Sequence, residues 1–246
     1  MPGIIVELIV SWLLLWLFFK KGLQVLGIAP TQSRLYNLLF GILIAAVCGT
    51  LYFLSFTLFT ANKWTLHHEF AGQKLLASSW WTLKSVLFEE LIFRGALLYI
   101  LIKKFGVRTA ILTSAVCFGV YHWFTTGALG NPLQMALIFI LTGIWGAMFA
   151  LAFARTKSLY LPIGLHFGWN FISTVIFSQG PLGKQLLVLN GEENLGVALS
   201  VVVFIFQLLA VPAVAYWYLH FLSQKQVTTI DTETKAADIG SGNSGV

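Results

Sequence analysis

Charge is scarce in this chain. Only 10% of its 246 residues are Asp, Glu, Lys or Arg, whereas 58% are hydrophobic, and the mean hydropathy is +0.83. These proportions exclude a soluble globular domain and indicate a polytopic membrane protein. The net charge of +6 does not predict a nucleic-acid partner, because the basic residues cluster in short loops between apolar runs, where membrane topology explains them.

Cysteine and the common signature motifs are also few. The two cysteines, Cys48 and Cys117, both fall inside apolar runs, which favours core residues over a disulfide or a zinc knuckle. The chain has no P-loop, no glycine-rich dinucleotide fingerprint and no internal repeat. We find no cleavable signal peptide in the first apolar run and no CAAX-type lipidation signal at the C-terminus.

Seven apolar runs are long enough to cross a bilayer, or nearly so. Basic loops follow the first, third, fifth and seventh runs, and mixed or uncharged loops follow the others. The positive-inside rule therefore predicts an N-terminus outside and a cytoplasmic C-terminus. It does not exclude an additional helix that is an eighth span, re-entrant or broken. The seven runs are residues 4–19, 35–60, 75–102, 110–124, 132–154, 159–177 and 196–222.

The expected fold is an all-α bundle of about seven transmembrane helices, forming one domain over residues 1–222. Residues 223–246 change in composition to Thr, Asp, Ser, Gly and Lys, which predicts a disordered cytoplasmic tail. The expected location is the plasma membrane of a bacterium, since no eukaryotic targeting signal is visible. The composition says nothing about the oligomeric state.

One stretch within the third run is exceptional. Two adjacent glutamates, Glu89 and Glu90, and Arg94 interrupt a run of otherwise apolar residues. Charged side chains near a bilayer centre cost several kcal/mol each, so they are retained when they pair, line a cavity or perform chemistry. Glu90 and Arg94 are four residues apart on a helix and can pair. Glu89 is rotated about 100° from Glu90, so it is the carboxylate without an obvious partner.

Two further runs carry polar faces of their own. His122 lies towards the end of the fourth run, and His166 and Asn170 lie one turn apart in the sixth. A carboxylate with an imidazole can activate water, and an imidazole with an amide can donate hydrogen bonds to a developing oxyanion. Amide hydrolysis needs both functions. The same residue types leave zinc binding open, because Glu89, His122 and His166 are a familiar ligand set with a fourth position for water.

These three segments resemble the motifs of the CPBP family, which comprises the CAAX proteases and bacteriocin-processing enzymes and is also called the Abi family. The family pattern of Glu-Glu-x-x-x-Arg, Phe-x-x-x-His and His-x-x-x-Asn stands here at residues 89–94, 118–122 and 166–170, in the same order and spacing. The resemblance covers a core of about residues 79–177. It implies an intramembrane endopeptidase, with the lipid bilayer and a membrane-associated peptide or protein substrate as partners.

The resemblance also implies residue roles. Glu89 would be the base that activates water, with His122 as its partner. His166 and Asn170 would stabilise the oxyanion, and the second glutamate and the arginine of the first motif would support that motif. Family members have been described both as metalloproteases and as metal-independent glutamate proteases. We favour the form without a cofactor, because the third motif pairs its histidine with Asn170, a poor zinc ligand.

Two other classes of protein stay open. A proton- or ion-coupled transporter also places Glu, His and Arg at mid-membrane, and inverted repeats would favour it, but we see none. An inactive scaffold would be favoured by degenerate motifs, whereas every polar residue of the three motifs is present. Hydrolysis is therefore the leading interpretation, and transport is the alternative.

Overall fold

The protein is a helical bundle with almost no sheet, as the sequence predicts. The computed structural model describes residues 2–70 and 72–241, with side chains as far as Gln224. The helices are α1 (Pro2–Phe19), α2 (Gln32–Leu58), α3 (Gly72–Arg94), α4 (Ala96–Thr125), α5 (Pro132–Thr156), α6 (Tyr160–Asn170) and α7 (Val197–Ser241). A 3₁₀ turn at Leu23–Leu26 precedes α2, and a π-helix at Phe171–Ile176 continues α6. The predicted all-α membrane bundle is confirmed.

Four helices of the described chain are long and apolar enough to cross a membrane, judged by length and composition. They are α1, α2, α5 and the first part of α7, Val197–Gln224. Large apolar side chains on α1 and α7, such as Leu17 and Trp217, lie exposed on the outside of the bundle, as lipid-facing residues do. The helices that carry the polar motifs, α3, α4 and α6, are shorter or more polar than these four.

The third predicted run contains a break that the apolar pattern does not show. The structure ends α3 at Arg94 and begins α4 at Ala96, whereas the apolar pattern continues to residue 102. Glycine is the residue that fits at this break, because a Cβ on residue 95 would lie 2.2 Å from the carbonyl oxygen of Leu91. The predicted loop at 103–109 is instead a kink inside α4 at Gly106, whose φ of 81° favours glycine. The broken helix that the sequence left open is therefore α4.

Close glycine contacts hold α6 against α2. A Cβ on Gly164 would lie 2.4 Å from the Leu38 carbonyl oxygen, and one on Gly168 would lie 2.6 Å from that of Ile42. Small residues four positions apart allow such backbone contact between membrane helices. His166 lies about 200° around the helix from both glycines, so it faces away from α2 and into the bundle.

Two apolar clusters fill the bundle on either side of the polar motifs. One joins α2, α4, α5, α6 and α7 through Ala45, Phe118, Phe149, Leu165 and Val211, among others. The second joins α1, the 3₁₀ turn, α3, α4 and α5 through Leu15, Leu26, Leu91, Leu98 and Phe153, among others. Helices α4 and α5 contribute to both clusters, so they connect the two halves of the apolar core.

Two short antiparallel strands join the segment that follows α2 to the segment that precedes α7. Strand β1 (Lys63–Leu66) follows α2 and pairs antiparallel with β2 (Leu187–Asn190), which precedes α7. Trp64 lies opposite Leu189 in this register. The pairing holds the segment after the π-helix close to the end of α2.

The backbone of α7 is helical as far as Ser241, which differs from the irregular chain that the composition of the predicted tail favours. A helix that is already formed extends by one hydrogen bond for each residue added, so a polar segment can continue an apolar helix. Side chains beyond Gln224 and residues 242–246 lie outside the described part of the chain. The domain boundary at residue 223 and the cytoplasmic side of this segment stay predictions.

Candidate active site

A buried ion pair forms the base of the site. Arg94 and Glu90 have fully buried side chains, with 3.2 Å between Nη1 and Oε1. The second terminal nitrogen of the guanidinium donates to the Gly146 carbonyl oxygen of α5 at 3.2 Å. The ring of Phe118 on α4 lies under the same group, 4.2 Å from centroid to Cζ. Arg94 therefore links α3 to α4 and α5, and the pairing expected from the helical spacing is present.

Glu90 has a second partner that the sequence did not predict. Its Oε1 lies 2.8 Å from Nδ1 of His166 on α6. Because an ionised carboxylate only accepts hydrogen bonds, Nδ1 of His166 carries the proton and donates. The imidazole also stacks on Phe149, with ring centroids 4.9 Å apart and an interplanar angle of 17°. His166 is therefore fixed in both tautomer and orientation, with its Nε2 facing away from Glu90.

Glu89 lies opposite the two imidazoles. Its Oε2 is 3.8 Å from Nε2 of His166 and 4.0 Å from Nε2 of His122. This oxygen is buried and has no hydrogen-bond partner among the described residues. The two separations exceed hydrogen-bond length, and a bridging water is the group that typically spans them. The carboxylate that lacked a helix partner in the sequence thus faces two ring nitrogens in the fold.

His122 turns the same ring nitrogen, Nε2, towards Glu89 as His166 does. Its Nδ1 donates to the Phe118 carbonyl oxygen at 2.8 Å, one turn earlier on α4. With Nδ1 occupied, the neutral ring turns an unprotonated Nε2 towards Glu89. Nε2 of His122 lies 4.0 Å from Oε2 of Glu89.

A cavity of about 100 Å³ adjoins the histidines. Asn170 lines it, and its side-chain amide has no hydrogen-bond partner among the described residues. Glu89 does not line this cavity, but the two imidazoles that it faces do. The lining residues come from α4, α5, α6 and α7: Phe118, His122, Leu141, Thr142, Trp145, Phe149, His166, Trp169, Asn170 and Gln207. The motifs on the third, fourth and sixth predicted runs therefore do not account for the whole site, because α5 and α7 also form its walls.

An aromatic cavity of about 220 Å³ lies next to the first one and shares Trp169 and Gln207 with it. Phe53 and Trp64 are among its other walls, so it extends towards the strand pair. A larger cavity of about 1200 Å³ lies at the other end of α2 and α7 and contains none of the motif residues. Space beside the polar cluster is thus available on the strand side, and its walls combine aromatic rings with polar groups such as Ser173 and Gln179.

Sequence reasoning missed several polar groups inside the bundle. Gln207 in α7 and Glu7 in α1 each interrupt an apolar run, and this signal was visible in the sequence. Both carboxylate oxygens of Glu7 are buried without a hydrogen-bond partner among the described residues. The Gly146 carbonyl and the indole nitrogen of Trp145 gave no such signal, because a backbone acceptor and an aromatic residue look ordinary in a membrane helix.

The zinc alternative has suitable donor types. Glu89, His122 and His166 turn one oxygen and two nitrogens towards one another. In the described chain, however, no group of three or more His, Cys, Asp or Glu side chains is arranged to hold a metal ion. The described residues therefore do not fit the ligand set of a metal site.

The fold and the site define a class: an integral membrane protein with a buried carboxylate and two imidazoles, the groups of general acid–base chemistry. Residues 71–172 match the family model described as type II CAAX prenyl endopeptidase Rce1-like, and this segment contains all three motifs. CAAX prenyl protease 2 of Homo sapiens is 34% identical over 93 residues, which cover 34% of this chain and 28% of the human protein. No solved structure matches the chain. The resemblance to the CPBP family is therefore confirmed for this segment.

Proposed function

We propose that this protein is an intramembrane endopeptidase that hydrolyses a peptide bond in a membrane-associated peptide or protein. One observation carries the proposal: Glu89 Oε2 is buried, has no partner in the described chain, and faces the Nε2 atoms of His122 and His166. A buried carboxylate is costly in a membrane, and a base for water activation gives it a reason to be there. The match to CAAX prenyl endopeptidases supports the same activity.

The proposed nucleophile is a water molecule between Glu89 and His122. Glu89 removes one proton as the water oxygen attacks the carbonyl carbon, while His122 Nε2 accepts a hydrogen bond from the other hydrogen. The carbonyl π electrons move to oxygen and form the tetrahedral oxyanion. When the carbon–nitrogen bond breaks, the proton held by Glu89 passes to the leaving amine, so the carboxylate is regenerated.

The oxyanion requires hydrogen-bond donors in the cavity. The Asn170 amide is one candidate, because it lines the cavity and has an N–H to offer. His166 can donate from Nε2 only when its ring carries a second proton, since Nδ1 already donates to Glu90. Such a proton would balance two carboxylates against the single guanidinium of Arg94. Glu90 and Arg94 act here as positioning residues that hold the His166 ring.

The test is cleavage of fluorogenic membrane peptides by the full chain, purified in lipid nanodiscs. A farnesylated CAAX peptide belongs among them, because the human relative is named a CAAX prenyl protease. We expect Glu89→Gln to lower kcat by about 10² to 10⁴, the usual contribution of a general base. Glu7→Gln is the matched control, since it neutralises another buried carboxylate outside the site.

Unchanged cleavage by Glu89→Gln would remove Glu89 from the mechanism. If wild type cleaves no peptide but drives ion-coupled uptake in proteoliposomes, the transport alternative replaces the endopeptidase. Equal losses in Glu89→Gln and Glu7→Gln would indicate a general effect of removing membrane carboxylates.

A further inference from the structure

The indole nitrogen of Trp145 is a buried hydrogen-bond donor without an acceptor. The side chain is only 7% exposed, and Nε1 has no partner among the described residues. Leaving a buried donor unsatisfied destabilises the folded protein, and native proteins contain few such groups. Trp145 lines the cavity that His166 and Asn170 also line. The residue that carries the unsatisfied donor therefore lines the cavity of the proposed active site.

Two other tryptophans, Trp64 and Trp123, satisfy the same atom with a backbone carbonyl. Trp64 donates to the Phe53 carbonyl oxygen at 3.0 Å, and Trp123 donates to that of Met135 at 2.8 Å. This bundle can therefore supply an acceptor to an indole. The described residues supply no acceptor to the Trp145 N–H, so this donor is available to an acceptor on a bound ligand.

The ring of Trp145 is held firmly in place. It packs edge-on against Trp169, with centroids 4.7 Å apart, and against Phe149, with centroids 6.1 Å apart. The next residue, Gly146, accepts the hydrogen bond from the buried Arg94. The same turn of α5 thus accepts the hydrogen bond from Arg94 and carries the indole. The donor therefore needs no rearrangement when a ligand binds.

We propose that the Trp145 N–H donates a hydrogen bond to the oxygen of the scissile carbonyl and strengthens it as that oxygen becomes an oxyanion. The proposal rests on the endopeptidase function above. An indole nitrogen only donates, so the group it binds must be an acceptor such as a carbonyl oxygen or an oxyanion. Together with the Asn170 amide, it supplies donors that do not depend on the protonation of His166.

The test compares Trp145→Phe with Trp123→Phe on the peptide that wild type cleaves. Both changes remove an indole N–H and the same side-chain volume, but only Trp123 loses an existing protein hydrogen bond. We expect Trp145→Phe to lower kcat by about 10² or more, the loss typical of one oxyanion donor, with little change in KM. Trp123→Phe should lower the melting temperature and leave kcat of the folded protein close to wild type.

A second variant separates the N–H from the shape of the ring. Site-specific 3-benzothienylalanine at position 145 keeps the bicyclic shape and replaces N–H with sulfur. It should reproduce the fall in kcat and leave the melting temperature unchanged or raised, because no protein hydrogen bond is lost. A packing role predicts the opposite pattern, with normal kcat in this variant and a lower melting temperature in Trp145→Phe.

The outcomes separate this inference from the proposed function. Wild-type cleavage that is abolished by Glu89→Gln but unaffected by both Trp145 variants would overturn the inference and leave the endopeptidase intact. A rise in KM equal to the fall in kcat/KM would also overturn it, because an oxyanion donor acts in the transition state. If wild type cleaves no peptide, both proposals fail together.

Discussion

Glu90 on α3 and His166 on α6 are joined by a hydrogen bond of 2.8 Å between Oε1 and Nδ1. The same carboxylate oxygen is 3.2 Å from Nη1 of Arg94, so one atom links an imidazole to a guanidinium. This contact connects the first and third motifs directly. It also distinguishes the two adjacent glutamates: Glu90 is bonded through Oε1 to residues of two helices, with its Oε2 unpaired, whereas the buried Oε2 of Glu89 has no hydrogen-bond partner in the described chain.

The two glutamates should therefore respond differently to the same isosteric change. Glu90→Gln leaves the buried Arg94 without its counter-ion, and breaking such a pair costs about 3–5 kcal/mol. We expect a large fall in the unfolding midpoint as well as a loss of cleavage. Glu89→Gln should lose cleavage and keep the midpoint. Unfolding of both variants in one detergent, followed by circular dichroism, measures the difference, and equal midpoints would contradict the assigned pairing.

Arg94 should not be replaceable by lysine. The guanidinium bonds Glu90 and the Gly146 carbonyl with two separate nitrogens, and a lysine ammonium has neither this fork nor the planar face that lies over Phe118. We expect Arg94→Lys to lower the free energy of unfolding by a few kcal/mol, within the range for a damaged buried pair. Denaturant titration of the purified variant gives this value.

Replacing the whole pair is the control for that prediction. The double variant Glu90→Leu with Arg94→Met removes both buried charges, and apolar replacement of a buried ion pair is often neutral or stabilising. It should unfold at a higher midpoint than Arg94→Lys and still lack cleavage, because His166 loses its acceptor. A double variant that unfolds as readily as the single one would argue against charge burial as the cause.

The contact between α2 and α6 should tolerate no side chain at Gly164. A Cβ there would lie 2.4 Å from the Leu38 carbonyl oxygen, which is backbone and cannot rotate away. Overpacking of this kind costs about 1–3 kcal/mol, so Gly164→Ala should lower the melting temperature. Gly72→Ala is the matched control, because a Cβ added at Gly72 would meet no atom within 4 Å. Equal effects of the two changes would mean that α6 can move away from α2.

Chelation tests the zinc alternative. Since the described residues assemble no group of three metal-binding side chains, we expect cleavage to continue after dialysis against a strong chelator. Activity lost on chelation and restored by zinc would move the mechanism to a metalloprotease. In that case the metal content of wild type, measured by mass spectrometry, should fall in His122→Ala.

The sequence by itself determined the class of fold and the identity of the motif residues. Long apolar runs predict membrane helices because burial in lipid depends on composition, and the pair of Glu90 with Arg94 follows from a spacing of four residues on a helix. The break at Gly95 escaped prediction, because membrane helices often contain glycine and the apolar pattern runs on through it.

Contacts between helices were decided only by the tertiary structure. The bond from His166 to Glu90 joins residues 76 positions apart, and the acceptor for Arg94 is a backbone carbonyl on α5 that no side-chain pattern reveals. The walls formed by Trp145 and Gln207 depend on how α5 and α7 pack against the motif helices. Helical periodicity specifies the face on which a side chain lies, but the group that meets that face depends on helix packing, which local sequence does not encode.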